Sequence, residues 1–522
     1  MEIKVSKKLV LILVPSFLFS FYYLLMGNVV EAVLTLSVGF AVMILLRYVA
    51  KKKVPTKIDY NIVTAVFHMY GLSMGETSPS DLVETIAENK EYGIYSSIFK
   101  KILNLAKKFG YGLTKSTMEI SDQVKPPLKD FLIRCTTIFS SVEPKGYLKM
   151  ESSTLMEEYT GYYSRAIESL KTIGGIFTTF QSVIVFLIMT LAIMTVFMID
   201  PSAIVFGYVI AIASLLLMYF LFKSTSPDET VVYIGKYPPK LYNAMRWSLI
   251  ASALPCTLLA LYVYFTLGAP FAFMALGAGV IVPGIFGYKL EGYVKRIDRD
   301  YPTFLKALGE HMASTSNLKA SLSYVLYMEL GSLHKLVKRA LVRLKLGISH
   351  AKTLGALSTE AASYQVHISN QILLDSLNRG ANALEIGNAL GNRAVAFMEN
   401  RQKRELVAKS FQMIMVVMQG LTVVLLVVLR VLSEFLSSSL VGLPYFGFNE
   451  IPIIVIEIGN LVLVLAMAFM NALIVKEASA GYWGTFFFNL AILLILSGVA
   501  WVVAESFVRA ALGSMPTVDL PV

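Results

Sequence analysis

Lys and Arg recur at helical spacing between apolar residues in two distant stretches of this chain. The first stretch runs from Ser96 to Gly112 and the second from Ser332 to Ala351. The basic residues are Lys100, Lys101, Lys107 and Lys108 in the first stretch, and Lys335, Lys338, Arg339 and Arg343 in the second. At 100° per residue the first set covers about 120° of rotation, so an amphipathic helix with one basic face is predicted. A fixed basic face of this kind attracts an acidic partner.

A basic face is also common on an ordinary solvated helix, and one such stripe alone would favour that interpretation. Two stripes at corresponding places make docking an equal alternative. Attraction to lipid headgroups requires bases within about 15 to 20 residues of a membrane span, and both stripes lie farther along the chain. Nucleic acid is disfavoured because the stripes lack interleaved aromatic residues and a recognised binding fold. Docking of an acidic protein and a solvated helix face therefore stay equal alternatives for the two stripes.

A third candidate contact is the run RQKREL, with Arg401, Lys403 and Arg404. It immediately precedes an apolar run, so anchoring of membrane topology is the stronger explanation there. Of the two stripes, we expect the second to dominate docking, because its polar stretch carries the larger basic excess.

The helices that must position these stripes belong to a membrane protein. The chain has 522 residues, of which 56% are hydrophobic and 16% charged, and its mean hydropathy is +0.64. These values lie far from those of soluble domains. Apolar runs long enough to cross about 30 Å of hydrocarbon begin near nine positions: Leu9, Val29, Ile173, Ser202, Trp247, Pro270, Phe411, Ile451 and Gly481. We therefore predict about nine transmembrane helices.

Two long polar stretches separate these spans, and each has the length of a domain. Their periodicity favours short helices over strands. The predicted division is 1–46 for two spans, 47–172 for the first helical domain, 173–288 for four spans with a loop at 223–246, 289–410 for the second domain, and 411–522 for three spans. The predicted fold class is therefore all-α, a polytopic membrane protein with two helical-bundle domains.

The distribution of basic residues predicts the orientation of the chain. With a cytoplasmic amino terminus, every Lys and Arg lies on the cytoplasmic side except Arg430 and Arg509. The reverse placement would export nearly all of them, against the positive-inside rule. Residues 47–172 hold 18 bases and 14 acids, and residues 289–410 hold 18 bases and 10 acids, so these stretches carry the basic excess. We therefore predict a multi-pass protein of the cytoplasmic membrane, with both domains cytoplasmic and the carboxyl terminus exterior.

The two polar stretches share an order of features, which indicates internal duplication. Each begins with a helix that carries a His-Met pair, at His68 and His311. A basic helix ending in Gly follows in each, then a short segment and a further helix. Each stretch closes with a charged helix that continues into a membrane span.

This order resembles the type II secretion F-domain family, the membrane platform proteins of type II secretion systems, type IV pili and the archaellum. Gly112 and Gly347, each two residues before a Thr or Ser, carry the resemblance, together with Glu143 and Gly146 in the run SVEPKGYL. The second copy keeps Gly380 but has no corresponding Glu. The resemblance covers about 58–436, and the additional spans at both ends are more similar to the archaeal branch.

The resemblance implies a membrane platform without enzymatic activity or a cofactor. In such a machine the two helical domains would sit in or on the central opening of a ring-shaped, hexameric cytoplasmic secretion ATPase. The spans would hold pilin-like subunits and lift them from the membrane into a growing filament. A homodimer at the centre of the ring, surrounded by membrane lipid, belongs to the same expectation.

The sequence offers no signature of a common enzyme. It has no GxxxxGK[ST] phosphate loop, no HExxH and no GxSxG, and its five His and two Cys show no metal-ligand spacing. Catalytic, cofactor-binding and metal-binding residues are therefore not predicted. A membrane-bound enzyme or signalling protein would need a convergent set of acids, His or a nucleophile, which is not found.

A polytopic transporter or channel with cytoplasmic regulatory domains is the alternative function. It would use polar groups within the spans, namely Glu457, Gln181, Gln412, Gln419, Asn460 and Asn471. An interfacial position for Glu457 and hydrogen bonds between helices for the amides are the simpler explanations. The run GAGVIVPGIFG in the sixth span is explained equally well by close helix packing and by a broken-helix binding site.

Overall fold

The structure, a computed structural model, describes residues 57–141, 143–195, 202–440 and 453–513. Within these ranges the chain is helical, and β-structure is limited to one isolated antiparallel bridge between Val232 and Ser363. The α-helices are α1 Tyr60–Ser73, α2 Pro79–Glu88, α3 Ile94–Lys108, α4 Gly112–Ser121, α5 Leu128–Ser140, α6 Pro144–Thr195, α7 Ser202–Thr225, α8 Lys240–Leu267, α9 Ala269–Thr315, α10 Leu318–Val325, α11 His334–Lys345, α12 His350–Ala361, α13 Tyr364–Asn378, α14 Ala383–Leu440, α15 Ile453–Ser479 and α16 Trp483–Gly513.

Side-chain caps fix the start of several short helices. Ser78 and Asp81 form a reciprocal capping box at the start of α2, with Pro79 in its first turn. The side chains of Asp59, Asn317 and Ser363 accept backbone hydrogen bonds at the starts of α1, α10 and α13. Because Ser, Asp and Asn satisfy the free N–H groups of a first turn, the sequence specifies these boundaries locally.

Seven described helices are long and apolar enough to cross a membrane: α6, α7, α8, α9, α14, α15 and α16. They match seven of the nine predicted spans. The other two, near Leu9 and Val29, lie outside the described residues. The remaining described helices form a bundle at one end of the membrane helices, together with the non-membrane parts of α6, α9 and α14. We call this end the bundle side and the opposite end the far side.

The order of elements in the first polar stretch recurs in the second. Helices α1 to α6 correspond in order to the end of α9 and helices α10 to α14. Even a short 3-10 turn before the basic helix is repeated, at Lys90–Tyr92 and Gly331–Leu333. The predicted repeat in sequence features is thus matched by a repeat in helix order.

The two polar stretches, predicted as two bundles, share one continuous hydrophobic core. That core contains buried residues from both stretches, such as Phe67, Phe131, Phe304 and Phe397. Near the end of α1 the two halves approach so closely that a Cβ on Gly71 would lie 2.7 Å from Ser376 Oγ of α13. The two halves therefore pack against each other as one bundle on the bundle side.

Arg393 lies in the middle of the contact between the two halves and is 5% exposed. Its guanidinium donates a hydrogen bond of 2.6 Å to Thr64 Oγ1 of α1. It also faces the aromatic rings of Tyr60, Phe67 and Phe397, at 5.8, 5.1 and 4.7 Å from the ring centroids. A desolvated cation over several rings is stabilised by their quadrupoles, so Arg393 joins α14 to α1.

Replacement of Arg393 by Ala is expected to lower the free energy of unfolding by about 3 kcal/mol, through the lost cation–π contacts and the cavity left among the rings. Thermal unfolding of the detergent-solubilised chain would measure the change. Arg379→Ala is the matched control, because the Arg379 side chain is 41% exposed and, among the described residues, pairs with Asp81 at the surface. An equal loss in both variants would contradict the role assigned to Arg393.

Three long helices pass between the bundle and the membrane without a break, namely α6, α9 and α14. Helix α6 has 52 residues and α14 has 58. They run parallel and side by side from the bundle into the membrane. Asn400 Nδ2 donates to Thr160 Oγ1 at 3.2 Å in the bundle, and Gln181 Nε2 donates to Thr422 Oγ1 at 3.5 Å in the membrane. The nearly linkerless joins predicted from the sequence are therefore continuous helices.

The glycines of the sixth predicted span support close helix packing. Helix α9 is unbroken there and lies against α16 in the opposite direction. A Cβ on Gly287 would overlap with the backbone of Gly484, and one on Gly284 would lie 2.7 Å from the Cα of Phe488. Between these two explanations of the run, the structure supports packing over a broken-helix site.

Candidate docking surfaces

The first basic stripe lies on α3 as predicted. Its lysines, Lys100, Lys101, Lys107 and Lys108, are all exposed. The opposite face buries Tyr95, Ile98, Phe99 and Ile102 in the core. Only Lys107 of the four makes an ion pair within the described part of the chain, at 2.7 Å from Glu84 of α2. The stripe is therefore largely available to a partner.

The carboxyl-terminal half of α3 is far from the membrane. Gly75, just before α2, lies against the backbone of Arg379, whose carbonyl accepts a 2.9 Å hydrogen bond from the N–H of Glu76. That turn precedes α14, and roughly 40 Å of helix separates it from the membrane entry near Phe411. Because Lys107 contacts α2 at Glu84, the first stripe lies toward the membrane-distal part of the bundle.

The second basic stripe lies on α11, where Lys335, Lys338 and Arg339 are exposed and Arg343 is partly buried. Both arginines pair with Glu360, Arg339 at 3.1 Å. The backbone carbonyl of Glu360 accepts a 3.3 Å hydrogen bond from the hydroxyl of Tyr293. Tyr293 is one helical turn, about 6 Å, beyond Lys289, the first charge after the apolar part of α9. The second stripe therefore reaches close to the membrane.

Corresponding helices thus place their basic stripes at different heights. Helix α3 presents its lysines toward the distal bundle, whereas Arg339 and Arg343 of α11 are tied to the membrane-proximal end of α9. Distance along the chain had excluded both stripes from the headgroup region. For the second stripe, distance along the chain does not measure distance from α9, because Glu360 joins Arg339 and Arg343 to Tyr293.

The third candidate contact, RQKREL, is mostly internal. Arg404 is 2% exposed and donates to three backbone carbonyls: Ala478 at 2.8 Å, Glu477 at 2.5 Å and Pro227 at 2.9 Å. Arg401 is also enclosed, whereas Lys403 is exposed. The sequence-based assignment of Arg401 and Arg404 to a docking surface is therefore wrong, because both guanidinium groups are occupied by internal partners.

Arg401 stands at the centre of a buried cluster where α14 meets the membrane. It pairs with Glu229, which precedes α8, and with Asp298 of α9, at 2.9 Å for Asp298. The side chains of the two acids are 1% and 8% exposed. Ser363 donates to Asp298, and the hydroxyl of Tyr163 on α6 donates to Glu229 at 3.1 Å. We call Arg401, Glu229, Asp298, Ser363 and Tyr163 the junction cluster.

Burial and the paired charges oppose each other in the junction cluster. It raises the pKa of the Asp298 carboxyl above its ordinary value, and the charge of Arg401 and the hydroxyl of Ser363 offset part of that rise. Burial alone would lower the pKa of Arg401, but the negative charges of Glu229 and Asp298 outweigh it and raise the pKa. Arg401 therefore remains a cation held between two acids.

The segment between α7 and α8, residues 226–239, crosses the base of the bundle, and we call it the strap. The N–H of Tyr233 donates to Ala362 O at 2.9 Å, and the N–H of Tyr364 donates to Val231 O at 3.1 Å. The ring of Tyr233 stacks on His367, with centroids 3.8 Å apart. His367 Nε2 in turn lies 3.6 Å from Glu91 of the first half. The strap thus connects the membrane helices to both halves of the bundle.

An exposed apolar residue follows each basic helix, a feature that the sequence analysis did not single out. Phe109 is 68% exposed and Leu346 is 74% exposed. Each is followed by a glycine in the left-handed region, Gly110 at φ 70° and Gly347 at φ 79°. Each of these turns thus adds one exposed apolar side chain beside the basic face.

The residues that carry the family resemblance lie mostly in turns. Gly112, Gly347 and Gly380 have positive φ values of 73°, 79° and 83°, which explains why glycine occupies these positions. Glu143 is exposed, and its N–H donates to Ser141 Oγ at 3.3 Å. Gly146 lies in α6 with open space around it. The structure does not bring these five residues together at one site.

The amides in the membrane helices bond their neighbours. Gln419 Nε2 donates to Ser497 Oγ at 3.0 Å, and Asn471 Nδ2 donates to Gln419 Oε1 at 2.9 Å. Similar bonds join Gln412 to Asn489 at 2.7 Å and Tyr208 to Asn460 at 2.6 Å. This arrangement favours the interhelical role over a transport pathway.

Glu457 lies at the far side, in a cluster that also explains the two basic exceptions to the orientation rule. Arg430 lies 3.4 Å from Glu457 and 3.3 Å from Glu434. Arg509 lies 2.9 Å from Glu434 and 3.0 Å from Glu505. Both arginines are therefore neutralised by acids on α14, α15 and α16.

The described residues contain no group of three His, Cys, Asp or Glu side chains that could hold a metal ion. Within the same ranges, His68 is buried between Tyr92, 2.8 Å from its Nδ1, and Asp375, 3.3 Å from its Nε2. His68 thus joins the two halves of the bundle.

Two curated proteins are similar to this chain over much of its length. The chain is 26% identical over 387 residues to Flagella accessory protein J of Methanocaldococcus jannaschii, a match that covers 70% of this chain and 67% of that protein. It is 24% identical over 363 residues to Flagella accessory protein J of Methanococcus voltae, covering 65% of this chain and 64% of that protein. No family model matches the chain, and no solved structure matches it. The resemblance to the F-domain family therefore stays a prediction.

Proposed function

We propose that this chain is the membrane platform of an archaellum or related type IV pilus-like assembly machine. The similarity to two proteins named Flagella accessory protein J carries the proposal. The helical bundle joined directly to membrane helices fits this role. In the proposed mechanism, a hexameric cytoplasmic secretion ATPase moves the bundle, and the membrane helices transfer pilin-like subunits into the filament. The platform itself is not an enzyme.

The proposed orientation places the bundle in the cytoplasm. Within the described ranges, basic side chains gather on the bundle side, and the far-side Arg430 and Arg509 are paired with acids. The positive-inside rule then favours a cytoplasmic bundle and an exterior carboxyl terminus. We also propose that the repeated helix order arose by internal duplication of an F-domain unit.

Continuous helices are the feature that would transmit movement. A force on the bundle acts on α6 and α14, which pass into the membrane without a flexible linker. The junction cluster and the strap tie α9 and the start of α8 to the same base. Movement of the bundle would therefore displace several membrane helices together.

Although the larger basic excess favoured the second stripe, we propose the first stripe, on α3, as the main ATPase contact. Its exposed lysines and Phe109 combine a basic rim with an apolar centre, as protein interfaces commonly do. Their distal position makes them accessible to a soluble ring. Lys338 and Lys345 of α11 and Lys403 of α14 are secondary candidates. A homodimer would double the number of such faces within one ring.

The test is binding of the purified full-length chain to the secretion-type ATPase of the same cell. The triple variant K100E/K101E/K108E is expected to weaken binding about tenfold or more and to reduce its dependence on salt, because complementary charges steer and hold the complex. The matched control K125E/K149E/K171E makes the same change in net charge at other exposed positions.

Two results would contradict the docking proposal: binding by the wild-type chain that is indifferent to salt, or equal loss in both triple variants. The wider function has its own test, deletion of the chain from the cell. The platform predicts loss of surface filaments without a defect in solute transport, whereas a transport defect with intact filaments would favour the transporter.

A further inference from the structure

Five basic residues from three separate elements lie on the bundle side, around the contacts that join α9, α11 and the strap. They are Lys236 of the strap, Lys289 and Arg296 of α9, and Lys335 and Arg339 of α11. Each is exposed. We call this set the proximal basic surface.

Helix α9 supplies the base of this surface. Residues 269–288 contain no charged side chain, and 20 residues of helix span about 30 Å, so Lys289 marks the membrane boundary. Lys289, Tyr293 and Arg296 are spaced by four and three residues and therefore share one face of α9. Arg296 lies about 10 Å beyond Lys289 along the helix axis.

Contacts of Glu360 bring the second basic stripe to that same face. Tyr293 donates to the carbonyl of Glu360, and the carboxylate of Glu360 pairs with Arg339 and Arg343. Glu360 is 14% exposed and is shared by the two arginines, so its single negative charge balances only one of them. Lys335 precedes Arg339 by one helical turn and lies on the same side of α11.

The strap completes the surface. Gly235 packs so closely on Thr359, the residue before Glu360, that a Cβ would overlap with its side chain. Lys236, the next residue, therefore lies near the ion pairs that Glu360 makes with Arg339 and Arg343. Three aromatic side chains at the same level are more than half exposed: Tyr237 at 56%, Trp247 at 70% and Tyr288 at 55%. Exposed Trp and Tyr beside Lys and Arg are characteristic of the interface between headgroups and hydrocarbon.

We propose that the proximal basic surface binds the anionic headgroups of membrane lipids. Negatively charged lipids attract basic groups within about one Debye length, roughly 8 Å at physiological salt. Arg296 lies about 10 Å beyond Lys289. Arg339 is joined through Glu360 to Tyr293, about 6 Å beyond Lys289, so both arginines lie near that distance from the membrane boundary. The two basic helices of the chain thus have different partners, a soluble protein for α3 and the lipid surface for α11. The binding of lipid by the proximal basic surface does not depend on the ATPase or on filament assembly.

The experiment uses the detergent-solubilised full-length chain and a fluorescent phosphatidylglycerol as the probe, with phosphatidylcholine of the same acyl chains for comparison. The wild-type chain is expected to prefer phosphatidylglycerol. The variant K236E/R296E/K335E is expected to lower the affinity for phosphatidylglycerol at least about fivefold, the effect of losing one charge contact near a headgroup. Binding of phosphatidylcholine should not change.

The variant K100E/K101E/K108E is the matched control, since it makes the same change in charge on α3. It is expected to leave phosphatidylglycerol binding intact. Equal weakening by both triple variants would show a general charge effect and overturn the proposal, as would a wild-type chain without lipid preference. A third result, in which K236E/R296E/K335E keeps its lipid binding but loses the ATPase, would assign the surface to protein docking instead.

Discussion

Replacement of Arg401 by Met is expected to lower the free energy of unfolding by about 3 to 5 kcal/mol. The change leaves Glu229 and Asp298 buried and close together without their cation, and an uncompensated buried charge is among the most costly defects in a protein. Thermal unfolding in detergent would report the loss. Limited proteolysis should also cut the strap faster, because Glu229 holds it to the base of the bundle.

Two further variants make this prediction specific to the charge. Lys403→Met, two residues away and exposed, should change stability by less than about 1 kcal/mol. Adding E229Q and D298N to the Arg401→Met variant should recover part of the lost stability, because neutral amides are less costly to bury than carboxylates. A triple variant less stable than Arg401→Met alone would show that packing, rather than charge, dominates at the junction cluster.

Replacement of Gly287 by Leu is expected to separate α9 from α16 and to cost about 3 kcal/mol or more. The first side-chain carbon would already overlap with the backbone of Gly484, and backbone atoms cannot move aside as a flexible side chain can. Reduced thermal stability, and loss of a disulfide engineered between the two helices near the far side, would both report the separation.

The same helix offers a close control for this substitution. Gly292→Leu lies five residues farther along α9, where a Cβ meets nothing within 4 Å. It should leave stability nearly unchanged or raise it slightly, because Leu favours helix more than Gly does. If both variants lost the same stability, the cost would belong to the loss of glycine flexibility and not to contact with α16.

The sequence predicted the helices well because their signals are local. Apolar runs of sufficient length predicted the seven described membrane helices, and the period of the basic stripes predicted α3 and α11. Even the exposed faces of these two helices could be read from residue spacing. The first two predicted spans lie outside the described residues.

Contacts between distant residues were not predictable in this way. No local pattern predicts that Arg393 inserts among aromatic rings of both halves, or that the strap bridges Val232 to Ser363. The sequence also predicts that Arg401 and Arg404 are exposed, because a basic run before a span usually anchors topology from the membrane surface. Nothing local distinguishes an arginine with headgroup partners from one with buried acids.

The sequence by itself determined that this is a helical membrane protein with two similarly ordered, basic polar stretches. Hydropathy, charge and helical period are properties of neighbouring residues, so no partner element is needed to read them. Tertiary structure alone decided that the two polar stretches share one core and that their basic helices lie at different heights. Those outcomes depend on how α9, α11 and α14 pack, and packing brings together residues whose separation along the chain says nothing about their distance in space.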